Sequence, residues 1–512
     1  MQNKLKSKLV FKDYNFNQNL LLPPSLEELI APNHPVRVVN QVVDNLDLDP
    51  IFAKYEGGGC PAYHPRMMLK VVVYGYVTNR YSSRKIEEAL QQNIHFMWLS
   101  GMSYPDHNTI NRFRSDRLKG VLKEVFSQVV LLLVDHGHIT LKEAYLDGTK
   151  IEANANRYTF VWGRAIKVSR NRIQRQLKEL WGYAEQVAKE ELEHNEPEDF
   201  TQIDTEKVSQ VIEQIDQALA GKEVNKKVRQ KLNYARKRWP EALDKYKDYE
   251  QQLGERTSLS KTDPDATFMC MKEDAMLNRQ LKPGYNWQIT TQDQYILDYT
   301  LHQSATDTVT LPEHMESFSK YLGQYPEVLV ADAGYGSEEN YEYLEKNGVE
   351  AYVKFNYFHK EQSKKWIQNP NKIEHLYYNE EQDCYYCPMG QKMKWILTKK
   401  RTTRNGYVQT CKKYQAQNCE GCPMRGPCHK QKHNRIIEAH PTLAKHKQKV
   451  RERLNSELGQ RYRCQRPADV EAVFGNIKYN QNFKRFTLRG KQKVEIEAGL
   501  VSLAHNLRKM VN

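Results

Sequence analysis

The sequence contains no apolar run long enough to span a bilayer. Its first residues, Met1-Gln-Asn-Lys-Leu-Lys-Ser-Lys, lack the apolar stretch of a signal peptide, so the protein is expected to stay in the compartment where it is made. Acid is in short supply. Against 77 Lys and Arg there are 63 Asp and Glu, a formal net charge of +14. That balance favours a polyanionic partner, nucleic acid first, over a merely dispersed surface charge. Cysteine is scarce outside one stretch: six of the nine lie between Cys384 and Cys428. In an intracellular chain such clustering points to metal before disulfides. These absences argue against a membrane protein and a disulfide-stapled secreted one. The 512 residues suffice for about three domains.

The first 125 residues read as helical. Pro23-Pro24-Ser-Leu-Glu-Glu has the form of a helix start with Ser25 as N-cap. Val36 to Leu48 gives a second apolar pattern, and Pro65 opens a strongly apolar helix. Ser82-Ser-Arg-Lys-Ile-Glu-Glu and Pro105-Asp-His-Asn-Thr-Ile-Asn-Arg-Phe-Arg114 give two short helices. Arg and Asn on the second suit a helix-turn-helix DNA reader, although a small helical bundle reads the same way. Leu122 to His136 is an apolar helix. From Lys167 to Gly254 the chain turns to Lys, Arg, Glu and Gln with apolar residues at helical spacing, which predicts long exposed helices, a coiled-coil hairpin among the options.

Three carboxylates stand out. Val328-Leu-Val-Ala-Asp-Ala-Gly-Tyr-Gly-Ser337 is an apolar run ending on Asp332 before a glycine turn, the way an open α/β sheet presents a ligand or catalytic acid; a helix cap is the plainer role. Glu143-Ala-Tyr-Leu-Asp-Gly-Thr-Lys-Ile-Glu152 alternates like a strand and carries Asp147 in its middle, with a hairpin turn at Asp-Gly as the alternative. In Arg463-Cys-Gln-Arg466-Pro-Ala-Asp-Val-Glu471-Ala-Val-Phe-Gly-Asn-Ile-Lys478, Val470, Val473, Phe474 and Ile477 form one helical stripe. Glu471 and Lys478 lie two turns apart beside it. Strands at Pro283–Thr291, Tyr295–His302 and Ala351–Phe355, with helices from Thr310 and Ser337, complete a mixed sheet interrupted by a helical insertion.

If Asp147, Asp332 and Glu471 converge, their oxygens suit Mg²⁺. Two such ions about 4 Å apart would activate a water or 3′-hydroxyl and stabilise the leaving oxygen of an in-line displacement. Lys478, with Arg463 or Arg466, would face DNA phosphates. Two CxxC pairs, Cys384-Tyr-Tyr-Cys387 and Cys419-Glu-Gly-Cys422, have zinc-ribbon-like spacing. Cys387, Cys419 and Cys422 lead the ligand set, with Cys384 or Cys428 as fourth and Cys411 as an outsider. Free buried thiols are the alternative.

The segments Tyr145-Leu-Asp-Gly-Thr-Lys-Ile-Glu-Ala-Asn, Val330-Ala-Asp-Ala-Gly-Tyr-Gly and Asp469-Val-Glu-Ala-Val-Phe-Gly-Asn-Ile-Lys resemble, in that order, the DDE transposases of bacterial insertion sequences. Within these the chain looks like the branch with a helical N-terminal domain and a cysteine cluster before the final Glu. The resemblance implies an α/β fold with a ribonuclease-H-like mixed-sheet core, and Asp147, Asp332 and Glu471 as a metal-binding triad for Mg²⁺ or Mn²⁺. It also implies double-stranded DNA, both transposon ends and target, as partner, a homodimer in a paired-end complex, and residence at the nucleoid in the bacterial cytoplasm. The related signature Tyr-x2-Arg-x3-Glu-x6-Lys is met only from Glu471 to Lys478; Pro467 stands where its Arg should be, and the roles of Tyr462, Arg463 and Arg466 stay open. The expected layout is a DNA-binding domain at 1–125 and core segments at 126–160, 281–356 and 451–512. The core is split by a helical insertion at 161–280 and a zinc-binding insertion at 357–450. Two rivals are a ribonuclease-H-fold nuclease of repair or recombination, and a transposase derivative that binds DNA without cutting.

Overall fold

The computed structural model describes residues 25–56, 61–188, 200–271 and 280–511; Pro23 and Pro24, which open the first expected helix, lie outside them. Ser25 does not cap a helix. Its carbonyl accepts from Glu28 N at 3.1 Å in an isolated turn, because Pro32 follows too soon for a helix to propagate past its nucleus. The N-terminal helices are α1 (Pro35–Asp44), α2 (Pro65–Val77), α3 (Ser83–Gln92), α4 (Ile94–Ser100), α5 (His107–Arg112) and α6 (Leu122–Asp135). In α1, Val36, Val39, Val42 and Val43 recur every three or four residues and are all buried. The Asp106 carboxylate starts α5 by accepting from Thr109 N at 2.7 Å.

Strand β1 (Glu143–Glu152) runs straight through Asp147-Gly148, so this dipeptide is no hairpin turn. A ribbon of β2 (Phe160–Trp162) and β3 (Ser258–Ser260) brackets α7 (Gly163–Val187), α8 (Thr205–Ala218) and α9 (Lys226–Leu253). These three helices bury Leu177, Trp181, Ile212, Ile215, Leu232 and Trp239 among themselves. The insertion is thus a three-helix unit with its own core, where a coiled-coil hairpin was one expectation. It also ends before residue 280, since β4 (Thr267–Cys270) belongs to the main sheet.

The sheet continues with β5 (Leu281–Gln292), β6 (Tyr295–His302), β7 (Val328–Ala331) and β8 (Glu350–Val353), connected through α10 (Leu311–Leu322) and α11 (Glu338–Lys346). β5 shares one edge with β4 and β6 and pairs antiparallel with β1; β1 pairs parallel with β7, and β7 with β8. The cysteine-rich insertion is a second, antiparallel sheet. It is built from β9 (Tyr377–Asn379), β10 (Cys384–Tyr386), β11 (Lys392–Thr402), β12 (Val408–Ala416) and β13 (Ile436–Ala439). Helices α12 (Pro441–Asn455) and α13 (Glu457–Arg466) lead back to the core, and α14 (Lys491–Val511) closes it.

α14 lies against β6 and α2. It can approach because residue 499 is glycine: a Cβ there would overlap the Tyr299 ring. The Asn506 side chain donates to Ile296 O at 2.7 Å and accepts from Ile296 N at 2.8 Å, satisfying backbone at the sheet edge. The N-terminal helices, the sheet and α14 share one hydrophobic core, from Ile30 to Leu507. Among the described residues no helix is long and apolar enough to cross a membrane.

Candidate active site

The pairing of β1 with β7 runs Tyr145 to Val330 and Leu146 to Ala331. The next residues in that register are Asp147 and Asp332, so two carboxylates leave neighbouring parallel strands about 5 Å apart, backbone to backbone. Asp147 is buried and Asp332 is exposed at the strand end, where it opens a short turn of 3₁₀ helix without a side-chain cap bond. Behind Asp147 the chain needs a glycine. A Cβ on Gly148 would overlap the Gln288 amide of β5 and come 2.8 Å from Asp307 Oδ1.

Glu471 arrives on a helical run from Glu457 to Asn480 that is not a plain α-helix. It widens into π turns at Pro467–Glu471 and Asn476–Asn480. Pro467 has no N–H to give its preceding turn, and the ladder resumes with Ala472 N bonding Pro467 O, five residues back. In an α-helix, residues five apart point about 140° away from each other. Across the wide turn Arg466 and Glu471 face the same way, and the guanidinium meets Glu471 Oε1 at 2.7 Å. The same guanidinium reaches Asp147 Oδ1 at 3.2 Å. Arg466 thus ties Glu471 to Asp147. The π turn holds one extra residue, which accounts for the imperfect Arg-to-Glu spacing seen in the sequence. The run is anchored to the sheet by Tyr462, whose hydroxyl donates to Glu143 Oε1 at 2.9 Å, and by Asp469, which accepts from Thr291 Oγ1 at 2.6 Å.

Two expected phosphate contacts sit differently from the sequence expectation. Arg466 is 4 % exposed and Lys478 6 %, so both are buried in the core rather than presented on the surface. Arg463 stays half-buried, its guanidinium 5.3 Å from the Phe358 ring, with Nε free of hydrogen bonds. The sequence reading missed Lys354, which follows β8. Burial lowers its pKa, Arg466 and Arg463 lower it further, and Asp332 and Glu471 raise it. These causes place it beside Asp332, Glu471 and the two arginines. Asp307 was missed too. It accepts from Asn286 Nδ2 at 2.7 Å and Gln288 Nε2 at 2.9 Å behind Gly148. The buried Tyr335 hydroxyl, held far above its usual pKa by burial and then by Asp307 and Asp147, bonds Gln288 Oε1. Neither Lys354 nor Asp307 belongs to a local motif; only the folded sheet brings them here.

In the cysteine-rich sheet, Gln391 N donates to Cys387 Sγ and Arg435 N to Cys419 Sγ, both at 3.4 Å, and Arg435 Nη1 lies 3.2 Å from Cys428 Sγ. Donors aimed at sulfur suit thiolates. His429 Nε2, next to Cys428, is buried without a partner. Cys422 is half-buried, and Cys384 is fully buried in β10 with Sγ 4.0 Å from Gln382 Oε1. Among the described residues, the trio whose ligand atoms all lie within 4.8 Å of one another is a different one: Cys411, Glu438 and His440. Lys413 already pairs with Glu438 at 2.6 Å.

The Transposase DDE domain family matches residues 386–511, and a second family, Transposase domain (DUF772), matches residues 24–116. These matches indicate a DDE-type transposase of the insertion-sequence type. No curated protein matches the chain. The first match covers β11 to β13 of the cysteine-rich sheet, Arg466, Glu471 and Lys478; the second covers the N-terminal helices through Arg114. Asp147 and Asp332 lie between them. A transposase DDE domain implies a ribonuclease-H-like core and the use of divalent metal, and the mixed sheet β6-β5-β1-β7-β8 is such a core.

Proposed function

We propose that the transposase binds the terminal inverted repeats of its own insertion sequence, hydrolyses the phosphodiester at each end and joins the freed 3′-hydroxyls to target DNA. The observation that carries this reading is the convergence of Asp147 and Asp332 on adjacent strands, with Glu471 tied to Asp147 through one guanidinium. Three carboxylates so close repel one another unless a cation lies among them. Arg466 supplies that charge within the protein, which fits a site made for cations. Asp147, Asp332 and Glu471 would hold Mg²⁺, or Mn²⁺ in its place. Bound there, divalent cations supply an activated hydroxyl and charge stabilisation at phosphorus.

The protein's own part is to position and to balance charge. Arg463 and Lys354 stand beside the carboxylates and would meet the phosphate on either side of the cut. Lys478 would follow once the helical run shifts on DNA. A cleft of about 480 Å³, lined by Arg84, Arg114, Arg489 and Lys493 and by no carboxylate, separates α3 and α5 from the segment before α14. It would carry DNA from the N-terminal reader to the core. Cys387, Cys419 and Cys428, with Cys422, Cys384 or His429 completing the set, would hold a structural Zn²⁺. The active form would be a homodimer on paired ends at the bacterial nucleoid. The match of a transposase domain to the N-terminal helices favours this reading over a repair nuclease, which needs no end-specific reader.

The test is strand cleavage of a labelled duplex carrying the element's end, with Mg²⁺, by the native chain and by Asp332→Asn. Cutting lost in the variant while binding persists supports the triad. Equal cutting by both removes Asp332 from the site. Binding without cutting, also with Mn²⁺ and pre-paired ends, favours a derivative that no longer cuts.

A further inference from the structure

The segment from Lys392 to Ala416 holds eight Lys and Arg and no Asp or Glu. It forms the β11–β12 hairpin, with Asn405-Gly406 at its tip. From Lys394 to Thr402 every residue of β11 is exposed, so neither face of that strand is covered over that length. Lys394, Lys399, Lys400, Arg401 and Arg404 form no ion pair within 4 Å among the described residues. A sheet that stabilised itself by its own charges would pair them. Trp395, Ile396 and Leu397, 51 %, 38 % and 42 % exposed, add an apolar patch at the bulge.

The tip is not free. The Tyr407 hydroxyl lies 3.0 Å from Glu338 Oε1 and 2.5 Å from Glu342 Oε2, Gln409 Nε2 donates to Glu338 Oε2 at 3.2 Å, and Asn405 Nδ2 reaches Val309 O at 3.5 Å. Glu338 opens α11, six residues after Asp332, and Val309 is two residues after Asp307. The hairpin is therefore clamped against the sheet end that presents the carboxylates. Its eleven-residue strand spans about 35 Å, close to one turn of duplex DNA at about 34–36 Å.

We propose that the β11–β12 hairpin is a DNA-tracking arm, lying along the duplex that leads into the carboxylate site and setting its Lys and Arg side chains on backbone phosphates over about one helical turn. The inference rests on the transposase reading. The cysteine-rich sheet then has a second role, which is to hold the arm rigid so that binding energy is not spent on ordering a loop.

The test uses the full chain with Lys399→Gln, Lys400→Gln and Arg401→Gln, three exposed side chains whose loss should leave the fold intact, and a duplex carrying the element's end. Each phosphate contact contributes a slope of about −0.9 to log K against log salt. The triple variant should lose about 2.7 units of slope and at least about tenfold in affinity at physiological salt, with its cutting rate preserved when the duplex is saturating at low salt. An unchanged slope and affinity overturns the arm and leaves the transposase reading standing. A native chain that binds with the steep slope but never cuts undoes the transposase reading and leaves the arm. If Trp395→Ala changes the oligomeric state while the triple variant binds DNA as the native chain does, the face belongs to a second copy, and the inference fails.

Discussion

Arg466 bridges Asp147 and Glu471, 3.2 Å from one and 2.7 Å from the other, at 5 % side-chain exposure. Removing it takes away the guanidinium that balances the buried Asp147 charge, a loss of roughly 3 kcal/mol for a buried pair broken on one side. Arg466→Ala should melt lower than the native chain without divalent metal and recover more than the native chain on adding Mg²⁺, because the ion then supplies the missing charge. Calorimetry with and without Mg²⁺ reads the difference. Equal Mg²⁺ shifts in both proteins would separate Arg466 from the metal site.

Asp147→Asn and Glu471→Gln keep the shape of each side chain and remove the negative charge. Each should lower end cleavage at least about a thousandfold, since an electrostatic contribution of about 4 kcal/mol at the reacting phosphate is lost. End binding by mobility shift should change by less than about threefold.

The π turn at Pro467–Glu471 can be tested by changing its length. Deleting exposed Ala468 leaves Arg466 and Glu471 four apart, one ordinary helical turn, so they still face the same way. Cleavage should survive. Inserting an alanine after Ala468 swings Glu471 away by about 100°, and cleavage should vanish while the chain remains folded by circular dichroism.

His505 on α14 is buried, with Nε2 on Gln294 O at 2.9 Å and Nδ1 without a partner. Burial holds its pKa down at about 4, while the Gln294 bond raises it and Arg508 and Lys509 lower it further. The folded state therefore keeps His505 neutral where the unfolded chain, near 6.5, takes up a proton. Its contribution is complete above pH 6.5 and falls as pH drops from 6.5 toward 4, by about 2 kcal/mol at pH 5. Urea midpoints at pH 7 and pH 5 should differ less for His505→Gln than for the native chain.

If the thiol cluster holds zinc, the purified chain should carry about one zinc per polypeptide by elemental analysis, and Cys419→Ser should lose it. The same content in Cys419→Ser would take Cys419 out of the ligand set.

Much of the core could be read from residue order because its signals are local. Alternation marked β1, an apolar run ending in Asp marked β7, and a stripe of Val470, Val473, Phe474 and Ile477 marked a buried face, all four now buried. What could not be read depended on long-range pairing or on helix phase. β4 is four residues long and has its meaning only against β5. Lys354 and Asp307 gain theirs only from the sheet that surrounds them. The facing of Arg466 to Glu471 and the burial of Lys478 depend on π turns, which shift every later side chain around the helix without changing composition. The five-stranded cysteine-rich sheet was hidden because its longest strand, β11, is charged and exposed on both faces from Lys394 to Thr402 and shows no buried alternation there.

The union of the N-terminal helices with α14 bears on how the chain is made. α2 rests on the last helix, and Arg508 donates to Tyr76 O at 2.7 Å across more than four hundred residues. During synthesis α2 leaves the ribosome with Tyr76 lacking Glu497 and Arg508, its partners on α14, which emerge more than four hundred residues later. Contacts of such sequence separation slow folding and expose sticky intermediates. A message broken before α14 would therefore yield an aggregation-prone chain rather than a free DNA-binding fragment.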